Sequence, residues 1–136
     1  MTEPRELALR ALSHRDRSRR ELDRRLEQAG ISVEERNATL DALAETGLLS
    51  DERFAEARAR GLAAKNGGDL LIRNDLSRHG IDAHLVGEIL EGLEPEGERA
   101  ARIFRRRGGG ERALRYLASK GFARDSLESL GGDEVC

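Results

Sequence analysis

The side chains with most to offer chemically are arginines, and they come in clusters. Arg19, Arg20, Arg24 and Arg25 lie close together, Arg105, Arg106 and Arg107 are consecutive, and Arg112 and Arg115 follow. Of the 24 basic residues only Lys65 and Lys120 are lysines. A guanidinium presents a planar fork of donors that meets a carboxylate or phosphate with two bonds at once, whereas an ammonium is a point charge. Rows of arginine along one surface therefore suit a phosphate backbone or an acidic protein groove. On a helix that turns Leu22 and Leu26 inward, Arg20 and Arg24 fall near the opposite face, with Arg19 and Arg25 flanking it. On a later helix with Leu117 inward, Arg112 and Arg115 point outward. Arg105, Arg106 and Arg107 end a helix, where cations also favour the macrodipole. These nine arginines are the candidate binding residues. Glu21, Asp23 and Glu27 beside the first cluster weaken a purely DNA-binding reading, because phosphate binding draws on several uncompensated charges.

Other chemistry is scarce. His14, His79 and His84 share no helical face with one another at metal-ligand spacing, and Gly80 interrupts the last two. HExxH, GxxxxGK[ST] and GxSxG are all missing. Gly108-Gly109-Gly110 lacks the preceding strand of a phosphate-binding loop and reads as a linker. The one cysteine is Cys136, which excludes an internal disulfide or a cysteine metal cluster. Aromatics are 3% of the chain, too few for base-stacking platforms. The expectation is a protein that is not an enzyme, with no catalytic, metal or cofactor-binding residue and no cofactor.

The elements that position these arginines must be helical. The chain has 136 residues, 38% hydrophobic and 37% charged, and its bias to Ala, Leu, Glu and Arg favours helix. No apolar run approaches the ~18–20 residues that cross a bilayer, and MTEPRELALR lacks a signal-peptide core. A soluble, cytoplasmic, all-α protein without membrane contact is expected, as a monomer. Its net charge of −2 hides an asymmetry. Residues 31–98 hold seven bases against fifteen acids, and residues 99–124 hold nine against one. Such blocks suit a partner that shows both signs, such as a protein–nucleic acid assembly.

Pro4 opens a first helix with Leu7, Ala8, Ala11 and Leu12 on one stripe. Ser18 through Glu21 forms a capping box before Leu22 and Leu26, and Gly30 stops that helix. Ser32 through Glu35 caps a third, with Val33, Leu40, Leu43 and Ala44 on its apolar side up to Gly47. Ser50 caps a fourth to about Lys65, burying Phe54, Ala57 and Leu62, before the break at Asn66-Gly67-Gly68. Ile72 and Leu76 mark a fifth, with Leu70 on its outer face, ending at Gly80. Asp82 caps a sixth with Leu85, Val86, Ile89, Leu90 and Leu93. Pro95 opens a seventh with Ala100, Ile103 and Phe104. An eighth holds Ala113, Leu114 and Leu117, and a ninth holds Leu127 and Leu130, with Ala123 where a cap would stand.

Leu26-x-x-x-Gly30-Ile31, Leu76-x-x-x-Gly80-Ile81 and Leu117-x-x-x-Gly121-Phe122 share one plan. Each has an apolar helix face, a glycine for the left-handed turn and an apolar residue that locks it. The nine helices thus read as three tandem three-helix repeats, 4–47, 48–94 and 95–130, with a flexible tail at 131–136. Single repeats cannot bury their stripes, so stacking into an elongated, curved array must complete the core.

Ala8-Leu9-Arg10-Ala11-Leu12-Ser13-His14-Arg15-Asp16-Arg17-Ser18-Arg19-Arg20-Glu21-Leu22 resembles the opening repeat of the RecX family of recombination regulators. Gly47-Leu48-Leu49-Ser50-Asp51-Glu52-Arg53-Phe54-Ala55 is similar to the stretch that follows at the usual distance. Ile72-Arg73-Asn74-Asp75-Leu76 with Gly80-Ile81 fits the middle repeat, and Tyr116-Leu117-Ala118-Ser119-Lys120-Gly121-Phe122 the last. The resemblance implies the three-repeat fold and a modulator of the RecA recombinase. Such a protein binds the RecA filament and the single-stranded DNA within it. It alters, and generally inhibits, filament assembly, ATP hydrolysis, strand exchange and co-protease activity. The resemblance supplies no site residues. Two other readings stand beside it, a DNA-binding helix-turn-helix array and a plain helical adaptor. Base-reading residues are sparse, Asn74 being the best placed, which counts against sequence-specific readout.

Overall fold

Serine and aspartate start the helices where their spacing places them. The computed structural model describes residues 3–134, with side chains through Gly131. Among these residues there are nine helices and no strand: α1 (Pro4–Leu12), α2 (Arg19–Gln28), α3 (Val33–Glu45), α4 (Asp51–Ala64), α5 (Asp69–Arg78), α6 (Ala83–Glu91), α7 (Glu96–Arg106), α8 (Gly110–Ser119) and α9 (Arg124–Glu134). Ser18 makes both halves of its capping box with Glu21. Ser32 Oγ accepts the Glu35 amide at 3.2 Å, Ser50 Oγ accepts the Arg53 amide at 3.1 Å, and Asp82 accepts the His84 amide at 3.0 Å. Each bond satisfies a helix-end donor that would otherwise be orphaned.

The helix ends repeat one hydrogen-bond pattern. Gly30 donates to the Glu27 carbonyl at 2.9 Å and Ile31 to that of Leu26 at 3.0 Å. Gly121 donates to Ala118 and Phe122 to Leu117, each at 3.2 Å. Both are Schellman turns, which need a left-handed residue at the position held by Gly30 (φ 83°) and Gly121 (φ 84°). Asn66 does the same after α4 at φ 70°, as a short amide side chain tolerates.

By its contacts the chain divides into two units. One takes in the residues through Glu56 together with His79–Ile81; the other takes in Ala57–Arg78 and the residues from Asp82 onward. In the first, α1, α2 and α3 pack on one another. Their core is Ala8, Ala11, Leu22, Leu26, Leu40, Leu43 and Leu49, with Leu7, Leu9, Leu12 and Ile31 around it. In the second, α5 packs on α6 and the trio α7, α8 and α9 pack mutually. That trio encloses Ala100, Ile103, Phe104, Ala113, Leu117, Phe122 and Leu130.

Several expected core positions differ. Val33 is 49% exposed, and Ala44 is exposed. Val33 is the first residue of α3, and the Arg36 side chain, only 12% exposed, covers the next turn in its place. In α4 the buried positions are Phe54, Ala55 and Ala59, while Ala57 is exposed and Leu62 half-buried. Ala55 and Ala59 are one turn apart, which leaves Ala57 on the far side. Leu70 is 56% exposed, as its outer-face assignment requires. The α9 helix continues over 131–134, past the expected end at 130, since glycine costs a helix entropy but meets no clash. Val135 and Cys136, in the expected tail, lie outside the described residues.

Within the second unit two turns meet backbone to backbone. Gly68 donates to the Lys120 carbonyl at 2.7 Å and Leu70 donates to the Gly121 carbonyl at 3.0 Å. A Cβ on Gly68 would lie 2.5 Å from Gly121 backbone atoms, and one on Gly121 would lie 2.6 Å from the Leu71 nitrogen. Only glycine fits at either position.

Candidate functional site

Many arginines prove to be structural. Arg36 donates from Nη1 to the Ile31 carbonyl at 2.8 Å and from Nε to Asp23 at 2.9 Å. Arg53 holds the turn before α4 through the Gly47 and Leu48 carbonyls at 3.1 and 3.2 Å, and Asp16 at 2.8 Å. Arg58 grips the buried Asp75 with two bonds, at 2.7 and 2.8 Å. Arg99 is 4% exposed; it donates to the Glu94 carbonyl at 2.8 Å, the Gly67 carbonyl at 3.0 Å and the Asp69 carboxylate, and lies over the Phe122 ring. One fork thus serves turn carbonyls and a carboxylate together, which an ammonium on a single stem cannot do. This use explains part of the arginine excess, and it lowers the count of arginines offered to a partner.

The nine candidate arginines fare differently. On α2, Arg19 is tied to Asp41 at 2.7 Å. Arg20 is exposed but packs against Gly80, where a Cβ would come within 2.9 Å of its Nε. Both line a shallow pocket with Asp23, Arg36 and Asp51, where acids offset the bases. Arg24 and Arg25 are exposed and form no ion pair among the described residues. In the second unit, Arg105, Arg106, Arg107, Arg112 and Arg115 are all exposed, with no ion pair among the described residues.

Three of these five converge. Arg106 and Arg107 at the end of α7 and Arg112 in the first turn of α8 line one pocket of about 800 Å³ with Asn66, Gly108 and Gly109. The turn that brings them together has Gly108, Gly109 and Gly110 at φ 87°, 68° and 79°. The expected linker is thus a tight turn at positive φ. The Arg107 guanidinium carbon sits 3.5 Å from the Tyr116 ring centroid, a stacked cation–π contact. The Tyr116 hydroxyl in turn accepts a hydrogen bond from Asn66 at 3.0 Å. Tyr116 and Asn66 were not among the sequence candidates; a lone tyrosine and a turn asparagine carry no periodic signal.

At the start of α7 the charges are mutually satisfied. The hydrogen bond from Arg102, at 2.6 Å, holds the Glu94 carboxyl below its ordinary value of 4.5, and the same bond raises the Arg102 guanidinium further. Among the described residues no group of three or more His, Cys, Asp or Glu could hold a metal ion. No helix there is long and apolar enough to cross a membrane.

Comparison with known proteins fits this architecture. Residues 5–43 match the first three-helix domain of RecX, and residues 50–90 match the second. The regulatory protein RecX of Chromohalobacter salexigens is 40% identical over 128 residues, covering 88% of this chain and 84% of that protein. The regulatory protein RecX of Stenotrophomonas maltophilia is 35% identical over 130 residues, covering 96% and 80%. The crystal structure of RecX from Lactobacillus salivarius superimposes with a TM-score of 0.80 at 22% identity, over 96% of this chain and 93% of that one. A second RecX crystal structure gives 0.76 at 23% identity, over 95% and 70%. An all-α chain that matches the first and second three-helix domains of RecX, and RecX proteins along most of its length, belongs to the RecX family of regulatory proteins.

Proposed function

We propose that this chain binds the RecA recombinase filament and modulates it, generally by inhibition. It would act on filament assembly, ATP hydrolysis, strand exchange and co-protease activity, without catalysis of its own. Membership of the RecX family carries this reading. The exposed Arg24 and Arg25 in one unit, and Arg105, Arg106, Arg107, Arg112 and Arg115 in the other, support it as cations left open to a polyanionic partner. Arg19 and Arg20 contribute less, since Arg19 is already committed to Asp41 and Arg20 to the turn at Gly80. The protein acts in the cytoplasm as a monomer, with its helices arranged as three repeats, 4–47, 48–94 and 95–130. Single-stranded DNA is met within the filament.

The test is single-stranded-DNA-dependent ATP hydrolysis by RecA from the same source, titrated with this protein. A change at substoichiometric protein is expected. Unchanged hydrolysis up to equimolar protein would overturn the reading, and binding to bare DNA would then favour the helix-turn-helix alternative.

A further inference from the structure

Among the described residues, the pocket at the α7–α8 turn is lined by three arginines and no acid. Its volume of about 800 Å³ falls within the ~300–1,000 Å³ typical of sites for organic ligands and exceeds what a lone ion needs. Its parts are held from behind. Asn66, fixed in the left-handed turn after α4, fastens the Tyr116 hydroxyl, and the Tyr116 ring carries the Arg107 guanidinium flat against its face. A guanidinium so held keeps its other face for stacking, and such planes are among the surfaces on which unstacked bases rest. Arg106 and Arg112 stand on the two helices flanking the turn and spend their charge on no acid among the described residues.

We propose that this pocket is a nucleotide-unit site for a single nucleic acid strand: Arg106 and Arg112 hold the phosphate, and a base stacks on the Arg107–Tyr116 pair. The inference rests on the filament reading for the strand it meets, and it assigns these arginines to DNA, not to protein. A plane with bare cations beside it matches a base next to a phosphate, whereas an acidic peptide has no use for the plane.

The probe is a fluorescent dT oligonucleotide, titrated with the full chain at low salt and followed by anisotropy, without RecA. Arg106→Glu combined with Arg112→Glu should weaken binding at least tenfold. Losing two phosphate contacts should also flatten the salt slope by about 1.4, at ~0.7 per contact on a single strand. Arg73→Glu, an exposed cation on α5 of the same unit, should change affinity less than twofold. Arg107→Lys keeps the charge and loses the plane, so it should erase the preference for dT over an abasic strand of equal length. Equal losses from the Arg73 and pocket variants would overturn the proposal. So would displacement of the strand by polyglutamate at equal charge, or by ATP at micromolar concentration, which would make the pocket a peptide or a free-nucleotide site. RecA takes no part here. Pocket variants that bind the strand normally refute the pocket alone, whereas strand binding without any effect on RecA hydrolysis refutes the filament reading alone.

Discussion

The Glu96 carboxylate accepts the Asp69 backbone N–H at 2.7 Å, so a residue at the start of α7 caps the start of α5. Its other oxygen accepts the Ala123 amide at 3.1 Å and the Ser126 hydroxyl at 2.9 Å, which caps α9 as well. Ala123 stands where the other repeats have serine or aspartate, and Glu96, 27 residues away, takes the part of a capping-box acid by accepting the Ala123 N–H. Glu96→Ala should therefore destabilise by about 1–3 kcal/mol, since each lost cap is worth ~0.5–2 kcal/mol. The check is urea unfolding followed by circular dichroism. Adding Ala123→Asp should restore part of the loss by capping α9 locally; an unchanged midpoint in the single variant would show that water replaces both caps.

Arg99 is the cation whose removal should cost most. Replacing it with Met leaves the Gly67 carbonyl and the half-buried Asp69 carboxylate without their donor, and an unmet buried acceptor costs about 1–3 kcal/mol. Arg99→Lys should recover only a fraction, because one ammonium cannot reach Glu94, Gly67 and Asp69 together. Equal stability of the Lys variant and the parent protein in urea melts would contradict this.

Close backbone approach at Gly68 and Gly121 sets a third expectation. A methyl group at Gly68 meets backbone, which cannot swing aside as a side chain can. Gly68→Ala should lower stability by roughly 1–3 kcal/mol, the usual range for forced overpacking. Gly30→Ala, where nothing lies within 4 Å, should cost only the left-handed strain. Thermal melts of the two variants side by side separate crowding from backbone strain.

The Glu94–Arg102 pair gives a pH signature. Because the Arg102 hydrogen bond lowers the folded-state pKa of Glu94 from 4.5, the pair's contribution is present above that value and is lost as pH falls through the folded one. A carboxyl-carbon NMR titration should find Glu94 below 4.5, and Arg102→Gln should return it toward 4.5. An unshifted Glu94 in the parent protein would show that the bond does not persist in solution.

The helices were legible from local signals. Ser18 with Glu21, and Gly30 with Leu26 and Ile31, act within a few residues, so their spacing alone reports the turn they make. What escaped was long-range. Glu96 resembles any first-turn acid until α5 and α9 are brought to it. Arg99 resembles its neighbours in a basic block until Gly67 and Asp69 close over it. Of the nine candidate arginines, sequence could place all on helices but could not tell that Arg19 is committed to Asp41 while Arg106, Arg107 and Arg112 share one pocket. That grouping depends on three consecutive glycines taking positive φ, where the sequence pattern reads only as a linker.

The measurement that bears most directly on the central claim is binding of this chain to RecA filaments assembled on single-stranded DNA with a non-hydrolysable nucleotide, compared with the bare strand. Filament binding should be much tighter than strand binding, and weakened at least tenfold by Arg24→Glu with Arg25→Glu at unchanged melting temperature. Binding to the filament no tighter than to bare DNA would contradict it.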